Sequence, residues 1–425
     1  MRFIYNIFFI IFSIVYLPYL IIKSKGHKDF LQKFGFLPDK VKNLKNPLWI
    51  HAVSVGEAVL AAKLAVEITS RFKDISIVVS TTTKTGNDMI KRMGLDAVDA
   101  VFYYPLDLGP IVSLAVRTIK PSLYVMIETE LWPNLLEEFY REKIPVILAN
   151  GRISDKSFNN YKSIRFITRR ILKCIDTFCV RTKEDEQRII ELGAPSDRIV
   201  VTGNMKFEER IPNKEEAVFL RELAGFDDKD EVIVAGSTHY PEEALMLDIY
   251  KELKSKREKL KLILVPRHVD RTEKIRQDLE KKGLKCSLFS GCLEKKNCFS
   301  GTDEILLVDT IGHLKALYNI ASVVFIGGSF VKKGGQNPIE AALWGKPVVF
   351  GPHMFNFKEI AAMFVKSGAA IQVKDVSELK KTLVELLDNP CKREEMARSA
   401  ANVISMNSGA VKKTADVICK VLNGE

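Results

Sequence analysis

The chain has 425 residues, 47% hydrophobic and 28% charged, with 64 basic against 53 acidic side chains and a net charge of +11. That length exceeds one ordinary core and predicts two domains of globular composition, and the positive balance favours anionic partners such as phosphates, nucleotides or anionic lipid. No Lys/Arg block interleaves with aromatics, which disfavours nucleic acid; the seven cysteines form no Cys-x-x-Cys and the six histidines no metal-spaced pair, so buried reduced thiols and no structural metal are expected.

Phe3 to Ile22 is almost wholly apolar, with Asn6 and Ser13 as its clearly polar members and Pro18 inside it. About twenty such residues match the hydrocarbon thickness of a bilayer. Lys23, Lys25, His27, Lys28, Lys33, Lys40, Lys42 and Lys45 follow, which places the next domain on the cytoplasmic face. The segment 1–24 therefore reads as a membrane anchor, either spanning or lying in the membrane plane with the basic run on anionic head groups.

Residues 38–207 alternate short apolar runs with longer amphipathic stretches. Trp49-Ile-His-Ala-Val-Ser-Val-Gly-Glu57 reads as a buried strand ending in a Gly56 turn, then a helix opening at Glu57. A carboxylate there sits in the positive end of the helix dipole and is expected to stay ionised; alone, it would be no more than a favourable first-turn charge. Further strands are Ile75–Ser80, Leu123–Ile127, Val146–Ala149, Phe178–Val180 and Ile199–Thr202. Continuous apolar strands separated by helices predict a parallel sheet covered on both faces. Ligands of such sheets bind beyond the carboxyl ends of the strands. The polar ends here include Thr81 to Gly86, Glu128 to Asn134, Asn150 to Ser154 and Gly203 to Lys206. Some are plain helix caps, and Trp132 reads as a packed aromatic. Glu57, Glu128 and Lys206 on one rim are harder to dismiss.

Glu208 to Glu216 is charged, carries Pro212 and has no strand pattern, as a linker would. Beyond it, Val232–Ala235, Leu262–Val265, Ile305–Val308, Val323–Ile326 and Pro347–Phe350 predict a second doubly wound sheet over 217–425. No G-x-G-x-x-G follows its first strand and no Walker loop occurs, which speaks against a dinucleotide dehydrogenase and a P-loop ATPase. The densest motif is Gly327 to Glu340. Gly334 and Gly335 permit close backbone approach, and Asn337-Pro338 reads as a helix start running from Ile339 to Trp344. A Gly turn feeding a helix N-terminus suits a nucleotide phosphate, with Glu340 facing ribose hydroxyls and Arg267 pairing with phosphate or carboxylate. A Gly-rich connection without ligand is the alternative.

Taken in order, Trp49 to Glu57, Ile127 to Asn134, Gly203 to Phe207, Ser237 to His239, Val265 to His268, Gly334 to Glu340 and Gly351 to Phe357 resemble the 3-deoxy-D-manno-octulosonic acid (Kdo) transferases of lipopolysaccharide assembly, which are GT-B glycosyltransferases. The likeness spans nearly the whole chain, with Gln336 standing where the family has His. It implies two Rossmann-like doubly wound domains facing a cleft, 38–207 binding the acceptor and 217–425 the donor CMP-Kdo, behind an N-terminal anchor helix at the cytoplasmic face of the inner membrane. It implies Glu57 as general base and Glu128 and Lys206 as transition-state stabilisers. It also implies that Pro266, Arg267, Ile311, Gly312, His313, Asn337, Pro338, Ile339 and Glu340 bind CMP, and that neither metal nor cofactor is needed beyond CMP-Kdo. The implied acceptor is a lipid A precursor (lipid IVA). A UDP-sugar transferase or epimerase shares the fold, and a non-catalytic membrane-anchored binding protein is the rival of another class.

Overall fold

The computed structural model describes residues 5–6, 28–209, 214–227, 229–295 and 305–424, which fall into two compact units, Met1–Glu208 with Asn407–Glu425, and Glu209–Met406.

The first unit is built on seven parallel strands: β1 (Leu48–Ala52), β2 (Ile77–Thr81), β3 (Ala100–Tyr103), β4 (Leu123–Ile127), β5 (Val146–Gly151), β6 (Thr177–Val180) and β7 (Ile199–Val201). Their order across the sheet is β3-β2-β1-β4-β5-β6-β7. β1, β2, β4 and β5 are buried along their whole length. Their sequences therefore run apolar without alternation, because helices cover both faces. On one face Trp49, Val78, Tyr124 and Met126 meet Phe102 and Phe139; on the other Leu48, Ile50, Val79 and Val125 meet the helix Val55–Thr69. Trp49 is fully buried and donates its indole N–H to Ser80 Oγ at 2.7 Å, which satisfies the one polar atom it takes into the core.

The second unit repeats the plan with β8 (Glu231–Thr238), β9 (Leu260–Pro266), β10 (Ser287–Leu288), β11 (Ile305–Leu307), β12 (Val323–Ile326), β13 (Val348–Phe350) and β14 (Ala370–Gln372). All are parallel, in the order β10-β11-β9-β8-β12-β13-β14. The two doubly wound parallel sheets match the expectation. The sequence reading missed β3, β10 and β14, which are short strands at or next to sheet edges.

Several boundaries differ. The helix Ala410–Leu422 belongs to the first unit, so the second ends at Met406 rather than 425. Ala410, Val411, Ala415 and Ile418 are buried in the core layer that holds Val55–Thr69, and Arg71 Nη1 pairs with Asp416 at 2.5 Å. The expected linker is shorter than read, because the helix Lys214–Leu223 begins inside it. Cys292, read as a reduced thiol, is disulfide-bonded, whereas Cys174, Cys179, Cys286, Cys391 and Cys419 are free. The expected anchor lies outside the described residues except for Tyr5 and Asn6. There Asn134 Nδ2 donates to Asn6 Oδ1 at 2.7 Å, and burial, with Asp107 beside it, raises the Tyr5 hydroxyl. Among the described residues no helix is long and apolar enough to cross a membrane.

Candidate active site

In the first sheet β1 is flanked by β2 on one side and by β4 on the other, so the winding direction reverses between β1 and β4. Loops part at such a point and leave a crevice beyond the strand ends. Glu57 follows β1 and Glu128 ends β4, so the expected base and its companion flank this reversal.

Glu57 is placed by a reciprocal cap. The helix starts at Val55, two residues earlier than the sequence reading had it, with Ser54 as N-cap. Gly56 is thus in the first turn rather than in a tight turn before it. The Glu57 amide donates to Ser54 Oγ at 3.4 Å, Ser54 Oγ donates to Glu57 Oε1 at 2.8 Å, and the Val53 amide donates to Oε2 at 2.8 Å. The Ser-x-x-Glu capping box holds the carboxylate against the end of β1. The helix dipole is not what decides its proton affinity. Burial pushes Glu57 above the ordinary carboxylate value, and the charge of Glu128 adds to this, against hydrogen bonds from Val53 and Ser54 and the charge of Lys206.

Glu128 has the opposite balance. Its backbone has φ +61°, which turns the chain sharply at the strand end. Arg181, nearly fully buried at the end of β6, forms an ion pair with Glu128 Oε1, and Lys206 Nζ stands 3.4 Å from the same oxygen. Burial raises Glu128, but Arg181, Lys206 and Arg152 outweigh it and hold the carboxyl below its usual value. Lys206 sits on a one-turn helix, Met205–Phe207, pinned three ways. Asn150 Oδ1 accepts from the Met205 amide at 2.9 Å, Asn204 Oδ1 accepts from the Lys206 amide at 3.0 Å, and Met205 and Phe207 are buried. Asn150 itself has φ +56° and passes its carbonyl to Arg181 Nε at 3.2 Å. The rim thus brings together all three residues expected to be catalytic.

Sequence reasoning missed Glu130 and Arg181 here. Glu130, two residues past Glu128, is pushed up to about 7 by burial and then by Glu57 and Glu128. Its spacing in Glu-Thr-Glu was the only signal. Arg181 precedes Thr182, which caps the next helix, and reads from sequence as ordinary cap chemistry. Trp132 packs against the core beside Tyr104, as expected of a structural aromatic.

The second sheet reverses between β8 and β12. Gly327 passes so close to the end of β8 that a Cβ would lie 2.4 Å from the Ser237 carbonyl oxygen. The Gly328, Ser329 and Phe330 amides do not stand open to an anion. They donate to Glu242 at 2.7–2.9 Å, and the His239 amide does the same at 2.9 Å. Glu242 is fully buried and fills that nest itself.

The expected CMP-binding residues fall in two groups. Pro266 ends β9, and the Arg267 amide bonds the Thr238 carbonyl at 2.9 Å. Around His239 gather His268, Lys333, Arg267 and Arg271, and burial, with these neighbours, pushes His239 down to about 4. His239 is thus neutral amid several positive groups, a setting that favours an anion. The second group joins Ile311-Gly312-His313 to Asn337-Pro338-Ile339-Glu340. Ile311 and Gly312 are exposed, and Lys315, two residues beyond His313, reaches Glu340 Oε1 at 3.3 Å. Asn337 Oδ1 accepts from the Ile339 amide at 3.1 Å. The helix expected from Ile339 to Trp344 is one turn, Ile339–Ala342, before the chain turns to enter β13. Arg267, Arg271 and Lys333 are the positive side chains grouped around His239 in this unit.

The sequence comparisons place this geometry. A family model described as 3-deoxy-D-manno-octulosonic-acid transferase (kdotransferase) matches residues 28–209, and one described as glycosyl transferases group 1 matches 227–403. The chain is 31% identical over 402 residues to a 3-deoxy-D-manno-octulosonic acid transferase of Haemophilus influenzae, covering 94% of this chain and 93% of that one. The chain belongs to the Kdo transferase family. This Kdo transferase homologue is also 33% identical over 404 residues to a bifunctional glycosyltransferase/methyltransferase of Fusobacterium nucleatum, spanning 93% of its own length but 60% of that protein's. In fold it is similar to a UDP-GlcNAc 2-epimerase from Neisseria meningitidis, with a TM-score of 0.58 at 14% identity over 88% of this chain and all of that one. That likeness shows the GT-B-like architecture alone. Among the described residues no group of three or more His, Cys, Asp or Glu is arranged to hold a metal.

Proposed function

We propose that the protein is an inverting glycosyltransferase that moves Kdo from CMP-Kdo to a lipid A precursor. Glu57 takes the proton of an acceptor hydroxyl, and the oxygen attacks the anomeric carbon of Kdo. The bond from that carbon to the CMP phosphate breaks, and its electron pair leaves with CMP. The observation that carries the reading is the pair of contrasting carboxylates at the β1/β4 reversal. Glu57 is held by a cap with raised proton affinity, as a base needs. Glu128 is held ionised by Arg181 and Lys206, and so keeps Lys206 aimed where negative charge develops. In the second unit Arg267, His268, Arg271 and Lys333 supply the grip on the anionic donor, with Asn337 and Glu340 on the nucleoside. The reading puts the protein at the cytoplasmic face of the inner membrane, anchored by 1–24, and needs no metal or other cofactor.

Mass spectrometry of lipid IVA incubated with CMP-Kdo and the protein in EDTA tests this directly. The expected product is the acceptor heavier by Kdo, formed at the same rate with and without chelator. Thermal stabilisation by a UDP-sugar but not by CMP, with no lipid product, would favour the epimerase-like reading instead.

A further inference from the structure

At the amino ends of β8, β12 and β13 the second unit has a hollow of about 300 Å³. Arg267 and Asn337 come after the carboxyl ends of β9 and β12, so the hollow lies at the opposite end of the sheet from the expected donor contacts. Ser322 and Pro347, which directly precede β12 and β13, line it. Arg221 comes to it from the helix Lys214–Leu223, Arg393 from the helix Pro390–Asn407, and Lys346 from the turn before β13. That turn is fixed on both sides of Lys346. Gly345 has φ +65°, Pro347 is buried, and a Cβ on Gly345 would lie 3.5 Å from Ala397 Cβ on the helix that carries Arg393. Arg393 Nη1 donates to the Leu386 and Leu387 carbonyls at 2.6 and 2.9 Å, which anchors its guanidinium. Lys346 is half-buried, and its ammonium has no hydrogen bond or ion pair with a described residue. Two acids also line the hollow. Asp230 Oδ2 accepts from the Asp227 amide at 2.8 Å and Glu394 is exposed, and neither forms an ion pair with Lys346 or Arg393. Burial, with Arg221 and Arg393 beside it, lowers Lys346 to about 8. A half-buried cation beside two others, with no acid of its own, weakens the fold that holds it, and an anion in the hollow would reverse that cost.

We propose that this hollow is a second anion site of the unit, separate from the donor residues, and that Lys346, Arg393 and Arg221 hold a phosphoryl group there, as free phosphate or as a small phosphate monoester. A guanidinium offers paired N–H donors to two phosphate oxygens, and a lysine adds a point charge on another. A volume of about 300 Å³ is at the lower end for small-molecule sites, which suits a phosphate carrying a short polyol rather than a larger ligand. Asp230 and Glu394 fit the same class, because carboxylates in the wall accept from hydroxyls and disfavour a polyanion. The site does not depend on the transferase reading.

Calorimetric melts of the full chain in a non-ionic detergent at pH 7 test this, with about 10 mM inorganic phosphate or glycerol 1-phosphate compared with chloride of equal ionic strength. The expected result for wild type is a rise of about 3 °C in the second unit's transition, with no rise for Lys346→Met or for Arg393→Gln. In chloride Lys346→Met should melt at least as high as wild type, so its loss of response would not come from a damaged fold. Lys333→Ala, among the proposed donor contacts, distinguishes the two ends of the sheet: it keeps the rise if the phosphoryl group binds at Lys346. A rise with glycerol 1-phosphate makes the hollow a monoester site, and a rise with phosphate alone makes it a free-phosphate site. No rise in wild type, a rise unchanged in Lys346→Met, or a rise lost in Lys333→Ala overturns the proposal. None of these melts contains CMP-Kdo, so the outcome stands whether or not the protein transfers Kdo.

Discussion

Glu57 has two roles that one substitution can separate. It closes the capping box of the helix Val55–Thr69 and it is the proposed base. Glu57→Gln keeps an oxygen for one of the two hydrogen bonds, from Ser54 Oγ or from the Val53 amide, and turns the other into a donor facing a donor. A net hydrogen bond is worth about 0.5–1.5 kcal/mol. Against that loss, the variant no longer buries a charge whose burial raises its proton affinity. The balance is a destabilisation of about 0–1 kcal/mol, which for a unit of this size lowers its melting temperature by no more than about 4 °C. Removal of a positioned general base, by contrast, costs about 10²–10⁴-fold in rate. Circular dichroism melts and initial rates of Kdo transfer to lipid IVA, measured on the same preparation, give both numbers. Ser54→Ala is the companion variant. It leaves the carboxylate but removes the N-cap, for about 1 kcal/mol, and frees Glu57 from its anchored position, so an intermediate loss of rate is expected. Because Glu57 lies above the ordinary carboxylate value, wild-type kcat/KM should fall with decreasing pH at a midpoint above 4.5, and the variant should show no such limb. Transfer by Glu57→Gln within about tenfold of wild type, with the fold intact, would remove Glu57 from the role of base.

Other outcomes follow from single contacts. Glu242→Ala leaves four amides around the Gly327–Phe330 loop without an acceptor in a fully buried site and should destabilise the second unit by about 3–5 kcal/mol, read by urea unfolding; a loss under about 1 kcal/mol would mean that water replaces the carboxylate. Lys346 is lowered from 10.5 to about 8 by burial and by Arg221 and Arg393, so the fold binds its proton less well than the unfolded chain, and stability should rise as pH goes from about 8 towards 10.5. Lys346→Met should then stabilise the protein at pH 7 by about 1–2 kcal/mol, after allowance for partial exposure, and by little at pH 10.5. Truncation after Asn407 strips Val411, Ala415 and Ile418 from the first unit's core and should cost that unit about 4–8 kcal/mol, seen as loss of its melting transition while the second unit still melts.

The part of the fold legible in the sequence was the part fixed by burial on both faces. β1 and β4 carry continuous apolar runs because nothing about them meets water, and their polar ends mark the rim. β3 was not legible, because Ala100-Val-Phe-Tyr103 lies at a sheet edge with Val101 half-exposed, and so lacks that unbroken character. The C-terminal stretch Pro390 to Val421 reads from sequence as helical and able to cross back to the first domain, which its last helix does, but the sequence does not say which helix it packs on. An amphipathic stripe says that a face is buried and does not say against what, and here it is buried against a helix more than three hundred residues earlier in the chain.

The candidate site divides along the same line. Glu57 could be found because its chemistry is local: Ser54 and Glu57 are three residues apart, and the box they close is written in consecutive sequence. What sets the proton affinities of Glu128 and Glu130 is not local. The two differ by one intervening Thr, yet the positive φ at Glu128 and the arrival of Arg181 from β6 and of Lys206 from beyond β7 hold one charged, while the other is left facing acids and phenols. A spacing of two residues cannot carry that distinction, because it is made by which strands lie side by side. The second unit errs in the opposite direction. Gly-Gly-Gln-Asn-Pro read as a Gly turn feeding a helix from Ile339 to Trp344. The chain leaves the helix after one turn, because Gly345 and Pro347 must deliver β13 beside β12. Arg267, Arg271 and Lys333 around His239 are the residues on which the affinity for the proposed donor should depend.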